Sequence, residues 1–341
     1  MSRLDRLRVV GILVLVALFV WSYLGGNSSG YVSLTGHTMG TTYLVKLRAE
    51  GLSLEEIGAK IQAALDHVEA RMSTYRDDSE LSRFNRSDAG MPFHLSESTL
   101  TVLETALDVG RASGGAFDVT VAPLVDAWGF GPLGPVSEAP ESAVVDSLLQ
   151  FIGEGKLTVD RAEATAVRLH PGVRCDLSAI AKGYAVDQVA ELLESEGGTD
   201  YLVEVGGEVR TRGRNSRGAR WEVAIELPDP LKIGVQTVVP LPDLALATSG
   251  GYRNYFENEG RTYTHTLDPR TGRPITHDLA SVSVMHDHCL DADAWATALQ
   301  VLGPSEGLRR ADSLGIAALF VQMEGSAFHE FHSRRWREIL P

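Results

Sequence analysis

Tyr201-Leu202-Val203-Glu204-Val205-Gly206-Gly207-Glu208-Val209-Arg210-Thr211 reads as strand, turn, strand. Apolar and β-branched residues alternate with polar ones on both sides of a Gly-Gly pair. That pair allows a tight turn or a close approach of backbone to a ligand. The pattern continues downstream. Short strands are expected over Trp221–Ile225, Gln236–Val239, Leu244–Thr248, Tyr252–Glu257, Arg261–Thr266 and Ala280–Met285. Consecutive strands with few helices between them point to antiparallel sheets, and so to an α+β fold rather than a doubly wound parallel sheet.

Working outward, Tyr31–Leu34 and Thr42–Leu47 alternate like strands around a turn over Thr35–Thr41. Ser53 can cap a helix with Glu55 and Glu56 in its first turn, and Ile57, Ile61, Leu65, Val68 and Met72 form its apolar stripe. A second helix is expected from Ser98 to Ala112, stopped by Gly114-Gly115, followed by a short strand over Phe117–Val121. Gly129–Pro135 is a loop, Glu138–Phe151 a helix, and Leu157–Asp160, Ala166–His170 and Val173–Leu177 are strands. The remaining expectations are a helix over Ser178–Glu194, a helix opening at Asp291, a helix over Ser305–Ser313 and a strand over Ala317–Gln322. No Gly-x-Gly-x-x-Gly follows the first strand and no Gly-x-x-x-x-Gly-Lys-Ser/Thr occurs, so the common nucleotide-binding loops are missing.

The chain has 341 residues and a formal net charge of −14. Arg3, Asp5, Arg6 and Arg8 give residues 1–30 a charge of +2, which leaves −16 on the rest. Such acidity argues against a nucleic-acid partner, whose phosphate backbone needs a basic footprint, and against binding of the globular part to an anionic membrane surface. Val9–Leu24 is apolar apart from Gly11 and Ser22, with Trp21 and Tyr23 placed for a membrane interface. It has no convincing small-x-small cleavage site. The expected reading is an N-terminal hydrophobic helix acting as an uncleaved signal anchor, then a Gly/Ser tether to residue 30. The domain over residues 31–341 would be held on the periplasmic side of the inner membrane. The two cysteines, Cys175 and Cys289, are no disulfide framework and are read as buried free thiols. A pairing between them in an oxidising compartment is the alternative. His286, His288 and Cys289 lack a fourth ligand at closed-site spacing, which argues against zinc.

One short run carries chemistry: Asp291-Ala292-Asp293-Ala294-Trp295-Ala296-Thr297. On a helix, Asp293 and Thr297 share a face, and a carboxylate with a hydroxyl makes a pair of hard oxygen donors suited to Mg²⁺ beside phosphates and water. Two carboxylates at a helix N-terminus also complement its dipole, with no metal required.

Six more segments are dense in residues that face ligands: Met72–Arg76, Gly114–Thr120, Asp176–Tyr184, Val205–Glu208, Thr248–Tyr255 and Thr264–Pro274. With Asp291–Thr297 they form seven motifs in unbroken order from about Thr35 onward. In this the chain resembles the ApbE family, the FAD:protein FMN transferases. The resemblance implies an ApbE-like (T-fold-like) domain of largely antiparallel sheets flanked by helices. It also implies a Mg²⁺-dependent reaction that passes FMN from FAD to a Thr (or Ser) hydroxyl of a protein acceptor, with AMP leaving. Acceptors in the family include exported subunits of redox-driven ion pumps.

By similarity, Mg²⁺ is held by Asp293, Thr297 and the Ala179 carbonyl. Some relatives carry an Asp directly before the Thr, where this chain has Ala296. Met39, Tyr75, Ala116, Phe117, Asp118, Asp176, Lys182 and Leu267 match flavin, adenine or diphosphate contacts, Leu267 through its backbone. Phe117 also suits core packing, and Asp176 also suits a helix-opening carboxylate. Lys182 stands where some relatives are acidic, so it either pairs a phosphate or lies on an exposed face. His265 is the candidate base, since a neutral imidazole near pH 7 takes a hydroxyl proton readily. Two other readings use the same residues: an FAD diphosphatase with water as acceptor, and a flavin-binding protein without turnover.

Overall fold

The computed structural model describes residues 30–340 except 137, 230, 231, 233, 252–254, 259, 260 and 326. The expected hydrophobic helix and all but the last residue of the tether lie outside the described residues, as do Tyr252, Arg253 and Asn254. No helix among the described residues is long and apolar enough to cross a membrane.

Eight strands make the main sheet: β1 (Tyr31–Thr38), β2 (Thr41–Arg48), β3 (Tyr201–Val205), β4 (Glu208–Arg212), β5 (Ala245–Gly250), β6 (Leu279–His286), β7 (Ala317–Glu324) and β8 (Ala327–His332). Their spatial order is their chain order, and every neighbouring pair is antiparallel. The Gly206-Gly207 turn is real: both residues have positive φ, and Val205 pairs with Glu208 across it. Thr38 pairs with Thr41, so only Met39 and Gly40 form the turn between β1 and β2. Their φ values of 46° and 71° suit a tight hairpin whose twist matches the strands.

Strand periodicity sorts the core onto two faces. Val45, Leu47, Val203, Val205, Ala247, Val282, Val284, Ala318 and Phe320 face the helices. Val209, Leu246, Met285, Leu319 and Val321 face the other way, under the hairpin of Glu222–Glu226 with Val235–Pro240 and under Trp336. Both faces are covered, which is why β6 and β7 are buried over most of their length.

The helices are α1 (Leu54–Met72), α2 (Glu80–Arg86), α3 (Glu97–Ser113), α4 (Ala122–Ala127), α5 (Ser142–Leu149), α6 (Ala181–Ser195), α7 (Cys289–Leu314) and α8 (Arg334–Ile339). In α1 the Ser53 side chain accepts from the Glu56 N–H, and the expected stripe from Ile57 to Met72 is buried. α1 packs on α6, α6 on α7, and α3 on α7. Gly303, with φ 77°, followed by Pro304, breaks α7 into the two helices expected from the sequence. A smaller core of Leu124, Trp128, Val145, Ile152 and Leu267 ties α4 and α5 to the 267–274 segment, where Trp128 Nε1 donates to the Gly272 carbonyl at 2.8 Å.

α6 and α7 cap each other. Neither Ile180 nor His288, the residues preceding them, supplies a side-chain cap. Asp293 Oδ2 of α7 accepts from the Gly183 N–H of α6 at 2.9 Å. Asp187 of α6 accepts from the Cys289 N–H at 3.0 Å and the Leu290 N–H at 2.9 Å. Each helix thus satisfies first-turn donors of the other, with a carboxylate at each positive dipole end. Arg210 Nη1 lies 2.6 Å from Asp187 and completes the arrangement.

Several expected boundaries shift. Phe117–Val121 and Val173–Leu177 are not strands; their one ladder contact is an isolated parallel bridge between Val121 and Arg174. Asp118 folds the first segment into a turn by accepting from Thr120 N–H at 2.7 Å, and Asp176 does the same for Ser178 N–H at 2.7 Å. The helix after Asp176 therefore begins at Ala181, and Ala179 precedes it rather than riding on it. The α5 helix is shorter than expected at both ends, and α2, α4, β8 and α8 have no counterpart among the sequence expectations.

Replacing Asp187 by Ala strands two buried amides and a half-buried guanidinium. Loss of a buried charged partner costs about 3–5 kcal/mol, expected as a large drop in the denaturant midpoint.

Candidate active site

The end of the sheet where β3 turns into β4 meets the N-termini of α6 and α7. Asp293 is buried there. Gly183 has to be glycine: a Cβ on it would lie 2.3 Å from the Cys289 carbonyl oxygen and 2.8 Å from Asp293 Cβ. With its N–H given to Asp293, the regular ladder of α6 starts one residue later, at Tyr184 N–H to the Ile180 carbonyl. The Ala179 carbonyl stands just before that ladder. Thr297, one turn beyond Asp293, shares a hydrogen bond of 2.9 Å with Ser249 Oγ at the end of β5.

Lys182 is paired with a carboxylate, and its own side chain stays 31% exposed. Its Nζ lies 2.5 Å from Glu208 Oε1, and the Glu208 side chain is 3% exposed. Burial pulls the Lys182 ammonium down, but Glu208 and Asp293 outweigh it and hold it above its ordinary range. Burial pushes both the Glu208 and the Asp293 carboxyls up, against the pull of Lys182. Two carboxylates thus face one ammonium. Glu208 Oε2 is buried without a hydrogen-bond partner. Excess negative charge, an orphaned carboxylate oxygen, a hydroxyl and a carbonyl fit a hard divalent cation of the Mg²⁺ type. Among the described residues no group of three His, Cys, Asp or Glu side chains converges on a point, so any such ion relies on mixed donors.

Asp176 and Asp118 form the next part of the site. Asp176 N–H bonds the Val119 carbonyl at 2.7 Å, which sets the two turns side by side. Burial pushes both carboxyls up; their Ser178 and Thr120 hydrogen bonds oppose it, and for Asp176 the neighbouring Asp126 adds to the rise. Asp118 lines a cleft with Gly115, Leu149, Ile152, Gly153, Pro269 and Arg270. Arg270 holds Asp268 with two parallel bonds of 2.9 Å. Ala116 and Phe117 are 1% and 4% exposed and pack into the main core. Leu267 is likewise buried in the smaller core.

Tyr75 is the opposite case. Its side chain is 69% exposed, an unusual position for a large ring. Its hydroxyl donates to the Phe130 carbonyl at 3.5 Å. Burial of the hydroxyl end raises its pKa, and Asp176 and Asp126 raise it further, which places the three groups together. The Phe130 ring stands edge-on to His265 at 6.3 Å. Thr264, beside His265, donates to the Gly251 carbonyl at 3.2 Å, and a Cβ on Gly251 would lie 2.5 Å from that hydroxyl. Ser249-Gly250-Gly251 therefore links the Thr297 corner to His265.

Four of the buried, unpartnered side-chain oxygens border these segments: Thr38 beside Met39, Thr74 beside Tyr75, Asp126 Oδ1 and Glu208 Oε2. Buried polar atoms ordinarily find partners, so each of these four oxygens has capacity left to accept a contact. Asp293, Thr297, Asp176, Asp118, Tyr75 and His265 stand in separate motifs of the sequence, and hydrogen bonds and ring contacts link those segments in the fold. Sequence reasoning assigned no role to Glu208, Ser249 or Asp187. Glu208 and Ser249 lay inside quoted motifs; Asp187 had no signal beyond an acid in an apolar helix. Both cysteines are buried and free.

The ApbE family model matches residues 39–320. The chain is 41% identical to an FAD:protein FMN transferase of Vibrio cholerae over 91% of this chain and 92% of that protein. It is 38% identical to one of Escherichia coli over 90% and 88%. Among solved structures, the flavin transferase ApbE from Vibrio cholerae superposes with a TM-score of 0.84 at 39% identity, covering 90% of this chain and 98% of that one.

Two measurements check the electrostatics. Burial pushes the Cys175 thiol up to about 12 and raises Cys289 as well. Only the thiolate is nucleophilic, so neither cysteine should be alkylated by iodoacetamide in the folded chain at pH 8, and both should be after denaturation. Burial also pushes Glu204 up to about 7 from 4.5. Between those values the folded state keeps a proton that the unfolded state has released, so stability falls as pH rises through this window. Glu204→Gln should be more stable than the parent by about 1–2 kcal/mol at pH 8, with the difference gone at pH 4.

Proposed function

The chain belongs to the ApbE family and is a transferase that moves FMN from FAD to a protein; we propose that the acceptor atom is a Thr or Ser hydroxyl, with AMP as the leaving group. The observation that carries the proposal is the continuous site running from the Asp293–Glu208–Lys182 corner through Ser249-Gly250-Gly251 to His265, with Tyr75 exposed beside it.

In this reading Asp118, Asp176 and the backbone at Ala116, Phe117 and Leu267 seat the FAD, and Tyr75 and Met39 offer faces for its planar rings. Asp293, Thr297 and the Ala179 carbonyl would hold Mg²⁺, which would neutralise diphosphate charge as the leaving group departs. His265 takes the proton of the acceptor hydroxyl. The hydroxyl oxygen bonds the phosphorus of the FMN half, the bond from that phosphorus to the bridging oxygen breaks, and AMP leaves with that oxygen. Residues 1–30, with their basic flank and apolar stretch, support a membrane tether that keeps the domain on the extracytoplasmic side. An exported subunit of a redox-driven ion pump is the matching acceptor.

The test incubates the chain with FAD, Mg²⁺ and such a subunit, and reads the intact mass of the acceptor together with AMP release. A gain of one FMN, lost in Asp293→Ala and reduced about 10²–10⁴-fold in His265→Ala, is the expected result. AMP release with an unmodified acceptor would favour hydrolysis of FAD. Bound FAD with neither product would make the chain a binding protein.

A further inference from the structure

We propose that Lys182 is a resident counter-ion of the metal corner, a positioning residue that holds Glu208 in place and sets how tightly a divalent cation binds. The inference rests on the reading that Asp293 and Thr297 hold such a cation. The Lys182 Nζ lies 2.5 Å from Glu208 Oε1, an ion pair in which the carboxylate is sealed from solvent. The lysine stem runs against the β3–β4 turn, where a Cβ on Gly206 would lie 3.3 Å from Lys182 Cδ. The very next residue, Gly183, gives its N–H to Asp293. The ammonium is thus fixed between the turn that bears Glu208 and the helix end that holds Asp293. Its partner Glu208 has a second oxygen, buried and unpartnered, left to act on the site.

A fixed positive charge here does two opposing things. It relieves the repulsion of Glu208 and Asp293 when no cation is present, so the two helix ends stay together. It also opposes an incoming divalent cation by direct repulsion. At an effective dielectric of about 20, a unit charge about 6 Å from a divalent cation opposes its binding by well over tenfold, so screening and the partial offset by Glu208 still leave at least about a tenfold effect. Ala296, directly before Thr297, adds no side-chain donor, so the balance between Glu208 and Lys182 adjusts the affinity that Asp293 and Thr297 supply.

The test is a titration of the full-length chain with Mn²⁺ as the probe, counting free ion by its electron paramagnetic resonance signal, with melting temperature read in parallel. Lys182→Met is expected to bind Mn²⁺ at least about tenfold more tightly and to melt lower without metal. Lys182→Arg should behave as the parent, and Glu208→Gln should bind more weakly. A tightened site cannot arise from partial unfolding, and Lys182→Gln serves if the Met variant does not fold. Unchanged or weaker Mn²⁺ binding in folded Lys182→Met overturns the counter-ion role while leaving the metal reading in place. A parent chain that takes up no Mn²⁺ overturns both.

Discussion

Everything at the active end depends on two helix N-termini that cap one another. The first turn of a helix leaves backbone N–H groups without partners, and in a buried junction water cannot supply them. α6 and α7 solve the problem jointly: Asp293 accepts from Gly183, and Asp187 accepts from Cys289 and Leu290. Each bond requires the other helix to be in place, so the two ends assemble as a unit. Gly183 then becomes obligatory because the backbones approach too closely for any side chain.

This junction explains why the chemistry sits where it does. Two positive dipole ends draw carboxylates to one corner, and the sheet adds Glu208 from the β3–β4 turn. The resulting negative charge exceeds what Lys182 alone offsets. The same junction keeps Asp293 fixed, with Thr297 one turn further along α7 and Ala179 just before the start of α6. From there the small residues at the end of β5 carry the site across to His265, and the turns at Asp118 and Asp176 extend it toward the second core.

The fold was legible wherever one physical signal dominated. The α1 stripe from Ile57 to Met72, the Gly206-Gly207 turn and the break between the Asp293 helix and the next one all follow from local pattern. The segments around Asp118 and Asp176 did not, because their alternation imitates a strand while the aspartates bond their own backbone. β8 alternates, but its half-buried edge position gave it little apolar contrast. The candidate site was legible through its motifs, which named Asp293, Thr297 and His265. Motifs say nothing of partners: that Lys182 pairs with Glu208, that Ser249 meets Thr297, and that Asp187 caps α7 are tertiary facts. Phe117, quoted within a ligand motif, has its ring in the main core, the packing its strand-like setting also suited.

Amide-resolved hydrogen exchange on the folded chain tests the junction most directly. First-turn amides normally exchange quickly, since nothing within their own helix holds them. If the two helices cap each other, the Gly183, Cys289 and Leu290 amides will exchange as slowly as the central strand amides of β3. Exchange of these three at the speed of an exposed helix end would contradict the mutual caps and the placement of Asp293 that follows from them.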